Sequence, residues 1–210
     1  MRLFTETVVE IRPTTNVIAD TTTGRVDRTV VAGAHLDSVT DGPGINDNGS
    51  GSAATLETAL QMSRLGIEPV NRVRFAFWGA EEAGLVGSAH YVDRLTARQV
   101  KDIALNLNFD MVGSPNFVRF VYDGDGSDTA VRGPAGSGKI EDVFVDYFTD
   151  QGLETDPTAQ DGRSDYASFT AVGIPAGGLF TGAEGIKTAE QEAVYGGTAG
   201  VAYDPCYHQA

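Results

Sequence analysis

A histidine, an aspartate and a pair of glutamates stand in three short stretches of this chain: Ala34-His35-Leu36-Asp37, Gly44-Ile45-Asn46-Asp47-Asn48-Gly49 and Trp78-Gly79-Ala80-Glu81-Glu82. Asn108-Phe109-Asp110 and Tyr207-His208 add a second aspartate and a second histidine. Imidazole nitrogen and carboxylate oxygen are the ligands of a hydrolytic zinc, which keeps one coordination position for water. Two zinc ions can share a bridging carboxylate and a bridging water at a spacing of roughly 3.5–4 Å. Two such ions carry four positive charges against three negative ones from carboxylates, so one hydroxide completes a neutral cluster. The residual positive charge favours deprotonation of that water near neutral pH. One glutamate is left over to serve as general base. The set reads as a metallo-hydrolase.

Each residue also has a plainer reading. His35 on its own could be a buried core histidine, but Asp37 follows at the spacing of a carboxylate that orients a ligating imidazole. Asp47 lies in a Gly/Asn-rich turn that would also cap a helix, and a turn can aim a bridging carboxylate while the helix follows. Glu81 and Glu82 could be acids favouring a helix N-terminus. Neighbouring side chains diverge in a helix and in a strand. A turn after a strand is what lets both serve one site, one holding zinc while the other moves a proton from water to the leaving amine. Residue types alone leave open which does which. Asp110 belongs with Asn108 and Asn116 to a loop-like polar cluster, and the Tyr207 phenol could donate to a developing oxyanion. His90 sits mid-helix in Gly87-Ser88-Ala89-His90, where packing or exposure accounts for it.

The elements that must position these groups are legible as apolar runs. Thr29 to Ala34, Val73 to Trp78, Ala104 to Phe109 and Ile174 to Phe180 suit strands buried on both faces of a largely parallel sheet. Val8 to Arg12 and Asn16 to Ala19 read as paired strands near an edge. Ser50 to Leu65 is a helix with Ala53, Leu56 and Leu60 on one side, and Leu85 to Leu95 is another. Ile140, Val143, Phe144, Tyr147 and Phe148 form a core-facing helical stripe. Alternating strands and helices imply an α/β fold, a three-layer α/β/α sandwich with a mostly parallel central sheet. His35, Glu81, Glu82 and Asp110 then fall at carboxyl ends of parallel strands, where open α/β sheets bind ligands. The glycine-rich stretch from Asp123 to Gly138 reads as a flexible surface excursion.

The 210 residues fit a single domain, 1–210, with no repeat or linker. The 29 acidic against 15 basic side chains, a net charge of −14, leave no basic stripe, which argues against nucleic acid or an anionic membrane as partner. No signal peptide or membrane span is evident at the amino end. Cys206 is the lone cysteine, so no internal disulfide and no cysteine metal motif is available.

Together Ala32–Ser38, Gly44–Ser52, Phe77–Glu82, Leu107–Met111, Asp161–Asp165, Gly177–Gly182 and Cys206–His208, in that order, resemble the secreted two-zinc bacterial aminopeptidases. These are the streptomycete-type leucyl enzymes of metallopeptidase family twenty-eight. The resemblance runs from about Asn16 to the last residues. It implies that Asp47 bridges two zincs, that His35 and Asp110 complete one site, and that Glu82 and His208 complete the other. It implies Glu81 as general base, Tyr207 as oxyanion stabiliser, Arg163 in the substrate pocket, and Met111 and Phe180 in an apolar wall. The implied substrates are peptides with a free N-terminus, preferably beginning with a large apolar residue such as leucine, acted on by a secreted monomer.

Several departures accompany the likeness. The family has more helical sequence before the first strand, and a further cysteine and closing helix after the final histidine. The chain is therefore expected to be truncated at both ends, with Cys206 unpaired and apolar surface uncovered. Tyr166 stands where a histidine is usual, and the loop near residues 123 to 138 reads as an insertion. Alternatives on the same scaffold are a one-zinc glutaminyl cyclase, a carboxypeptidase, or a poorly folding non-catalytic fragment.

Overall fold

The computed structural model describes residues 4, 5, 7 and 10–209. Seven strands form one sheet: β1 (Val17–Asp20), β2 (Arg25–His35), β3 (Asn71–Trp78), β4 (Ile103–Phe109), β5 (Phe120–Asp123), β6 (Asp156–Ala159) and β7 (Ala176–Phe180), in the order β1-β3-β2-β4-β7-β5-β6. The four central strands are parallel, while β1 pairs antiparallel with β3 and β5 antiparallel with β7. The sheet is thus mixed, with a parallel centre. The helices are α1 (Gly49–Arg64), α2 (Val86–Asp93), α3 (Ala97–Asp102), α4 (Ser137–Asp150), α5 (Tyr166–Thr170) and α6 (Ala189–Tyr195). No helix among the described residues is long and apolar enough to cross a membrane.

The long apolar runs form the central strands because residues on both pleats are covered. Val31, Ala76 and Trp78 pack with Val92 of α2, Ile103, Phe169 of α5 and Ile174 in the main core cluster. Trp78 and Phe169 ring centroids lie 5.8 Å apart. The chain steps from β2 to β3 in one direction and from β3 to β4 in the other. With right-handed crossovers, α1 therefore lies on the face opposite α2 and α3. All the parallel strands of the centre point their carboxyl ends to one rim, and there the order reverses about β2.

Four sequence expectations are corrected. Val8 and Val9 lie outside the described residues, Glu10 to Arg12 is not strand, and β1 pairs with β3 instead. In α1 the buried residues are Gly51 and Thr55, whereas Leu56 is 50% exposed. The cause is the anchoring of its first turn: Asn48, the N-cap, accepts from the Gly51 N–H and donates to the Phe109 carbonyl, which turns Thr55 rather than Leu56 to the sheet. In α4 only Ile140 of the apolar stripe is buried, and Val143 is 67% exposed. The carboxylate of Asp123 accepts from the backbone N–H groups of Gly126, Ser127, Asp128 and Thr129, so the glycine-rich excursion, expected to be flexible, starts in a tight turn wrapped around one buried carboxylate.

Between the sheet and α4, Val30, Leu105, Leu107, Val143 and Phe144 line a shallow apolar groove.

Candidate active site

Five loops at the carboxyl rim bring the expected residues together. His35 ends β2 and is fully enclosed. Its Nε2 lies 3.1 Å from Asp47 Oδ1 and 3.2 Å from Asp110 Oδ1. Its Nδ1 sits 3.0 Å from the Asp37 carbonyl and 3.6 Å from that residue's carboxylate. The Asp37 side chain also accepts from the Glu81 and Glu82 N–H groups at 2.9 and 3.2 Å, pinning the turn after β3. Both bonds, with the His35 imidazole, hold its carboxyl below the ordinary value against the opposing effect of burial.

The turn reading of the glutamate pair holds. Gly79 and Ala80 leave the sheet, Ala80 adopts a left-handed φ of 57°, and α2 starts only at Val86. Both carboxylates consequently face the crevice. Asp47 is not the helix cap, a role taken by Asn48, so its carboxylate is free. Its second oxygen, Oδ2, lies 3.0 Å from His208 Nε2, and His208 is in turn 3.2 Å from Glu82 Oε2. One aspartate therefore reaches both histidines, one with each oxygen.

Among the described residues, His35, Glu81 and Asp110 form one group of closely spaced ligand atoms and Asp47, Glu82 and His208 form a second. The donor set fits divalent zinc: only nitrogen and oxygen, with carboxylates outnumbering imidazoles two to one. Glu82 Oε1 is buried without any hydrogen-bond partner, an orphan that a cation would satisfy. Burial, with neighbouring carboxylates, pushes Glu82 above its ordinary value and Glu81 up to about 8. Burial alone would lower the His35 pKa, but the carboxylates of Asp110, Asp37 and Asp47 raise it. So much anion in one place is unfavourable until positive charge enters.

The crevice opens into a small cavity of about 120 Å³. Met111, Arg163, Phe180 and Tyr207 line it as expected, joined by Tyr122, Thr158 and Asp161, which sequence reasoning missed. Thr158 belongs to β6, whose Pro157 conceals the strand. Tyr207 stacks on His208 at 3.9 Å between centroids, and burial pushes its phenol up to about 12. Arg163 pairs with Glu184 at 2.9 Å.

Other neighbours were also unforeseen. Ser164 Oγ donates to Asp110 Oδ2 at 2.6 Å and accepts from Asn108 at 2.9 Å. Asp165 is buried with neither carboxylate oxygen hydrogen-bonded, and burial pushes it up to about 7. Tyr166 accepts from the Gly162 N–H and donates to Asp161, fastening the turn that carries Arg163. The polar cluster imagined around Asp110 does not exist as such: Asn116 instead donates to carbonyls of Thr198, Val201 and Ala202. His90 is exposed on α2.

Known proteins resemble the chain closely. It is 57% identical over 208 residues to an aminopeptidase of Pseudomonas aeruginosa, covering 99% of this chain and 38% of that protein. It is 55% identical to leucine aminopeptidase 2 of Trichophyton equinum, covering 95% of this chain and 40% of that one. The chain thus spans about two-fifths of the length of these relatives. Among solved structures, an aminopeptidase from Aneurinibacillus sp. strain AM-1 superposes with a TM-score of 0.69 at 30% identity, covering 92% of this chain and 41% of that one. A zinc aminopeptidase from Bacillus subtilis gives 0.68 at 28%, covering 90% and 43%. The family described as Peptidase family M28 matches residues 16–210, and the chain belongs to it.

Proposed function

We propose that this chain removes N-terminal residues from peptides with a free α-amine, using two zinc ions held on either side of Asp47. The observation that carries the reading is the reach of that one carboxylate, 3.1 Å to His35 and 3.0 Å to His208. His35 and Asp110 would hold one ion with it, Glu82 and His208 the other. Bound zinc supplies a Lewis acid that polarises the scissile carbonyl and makes water acidic.

The chain's own groups would do the rest. Glu81 lies in the crevice beside the ligand atoms, placed to take a proton from water near neutral pH once the cations offset the surrounding carboxylates, and to return it to the leaving amine. Tyr207 stays protonated throughout that range and can donate to the oxyanion. The remaining carboxylate surface favours a substrate α-ammonium. Met111, Tyr122 and Phe180 give the cavity an apolar wall suited to leucine or a similar residue. The names of the relatives, aminopeptidase and leucine aminopeptidase 2, support the same reading.

The test is release of nitroaniline from leucyl-p-nitroanilide, with and without a chelator. Activity should vanish on chelation, return with zinc, and be absent on the N-acetylated substrate. Turnover that survives chelation, or that accepts the blocked amine equally well, would refute the proposal.

A further inference from the structure

Asn46, next to the aspartate between the two histidines, plays no part in that scheme, yet its amide is fully used. Nδ2 donates to Asp204 Oδ2 at 2.6 Å and to Ser114 Oγ at 3.1 Å. Oδ1 accepts from the Gly113 N–H and from Ser50 Oγ, both at 3.0 Å. Two donors and two acceptors are all that a carboxamide has. The partners come from three other segments: the start of α1, the stretch following Asp110, and the loop that bears Tyr207 and His208.

That last loop needs such a tie. Asp204 is buried, and its second oxygen accepts from the Cys206 N–H at 3.0 Å. Among the described residues, the backbone bonds of the rest of the loop are local, Tyr207 to Asp204 and Gln209 to Cys206. His208 adopts a left-handed φ of 56°, a conformation a histidine keeps only where its surroundings impose it. We propose that Asn46 and Asp204 are a positioning pair that registers the Tyr207–His208 loop against Asp47 and thereby sets the second cation position. The inference rests on the two-zinc reading. It adds two residues whose effect passes through His208, not through contact with substrate.

The test is Asn46→Asp, which keeps the shape but replaces the donor facing Asp204 with an acceptor. The added negative charge would by itself tighten cation binding, so a loss of affinity identifies registration. Zinc equivalents are read by competition with a chromophoric chelator, and cobalt by its visible absorption. The wild-type chain should take up two cations. Asn46→Asp should take up one with unchanged affinity and the second about 10–100-fold more weakly, the range seen for residues that orient ligands. Its melting in chelator should fall, because a second carboxylate then faces that of buried Asp204, and the rise on adding metal should shrink as well. The exchange Asn46→Asp with Asp204→Asn restores a donor–acceptor pair and should recover most of the second site. Two sites of wild-type affinity in a folded Asn46→Asp chain would overturn the proposal. A wild-type chain that takes up fewer than two cations would overturn the two-zinc reading, and this inference with it.

Discussion

Replacing Glu81 with glutamine should make the metal-free chain more stable in mild alkali, although it removes the group proposed as base. Glu81 titrates at about 8 in the fold against an ordinary 4.5, chiefly because it is buried, with His35 opposing and Asp110, Asp165 and Glu82 reinforcing. A carboxyl whose pKa rises on folding keeps its proton more tightly in the native state. Between the two values the unfolded chain holds fewer protons, so stability falls as pH climbs from about 4.5 to about 8. At about 1.4 kcal/mol per pH unit the ceiling is about 5 kcal/mol. Relaxation of the neighbouring charges and residual solvent reduce that to about 2 kcal/mol. Glutamine has no proton to lose. In chelator at pH 8 the variant should therefore melt about 4–8 °C above the wild type, with the gap closing toward pH 5. Thermal denaturation followed by circular dichroism from pH 5 to 8 measures this. Parallel curves, or a gap that widens toward acid, would refute the argument.

Three further outcomes follow from the geometry. The same Glu81→Gln variant, loaded with zinc, should keep its metal while nitroanilide turnover drops by about 10²–10⁴-fold, read by elemental analysis beside kinetics. Gly51→Ala should destabilise the chain by about 3 kcal/mol or more on chemical denaturation, because a Cβ there would overlap the Phe109 carbonyl and Asn48 Oδ1. Tyr166→Phe keeps the ring against Tyr122 but drops both bonds to the Asp161–Gly162 turn. It should cost about 1–2 kcal/mol and raise KM more than it lowers kcat, since Arg163 lines the pocket on that turn.

Much of this was legible because of where apolar runs stop. β2, β3, β4 and β7 announce themselves as short continuous apolar stretches, and His35, the glutamate pair and Asp110 follow three of them directly. Convergence of the candidate ligands then follows from parallel topology. What stayed hidden depends on contacts between distant segments. β6 is four residues containing a proline, with no periodicity to read. The apolar side of α1 was misjudged because Asn48, anchored to Phe109, decides its rotation. Ser164, Asn46 and Asp204 are small polar residues in turn-like sequence, indistinguishable there from solvated loop. Only tertiary hydrogen bonds reveal them.

The thin cover over the α1–α4 face divides the molecule mechanically. Phe169, Trp78 and Val92 tie the opposite face into a packed unit, whereas α4 is held mainly through Ile140, Phe144 and the turn at Ser137. Amide protons of α4 should therefore exchange through a local opening well below the cost of global unfolding. None of the ligand-bearing turns lies on that helix. Its fraying would leave the ligand-bearing turns themselves in place and reach them through the Phe144 ring against Phe109, so loosening by heat would begin away from the candidate ligands.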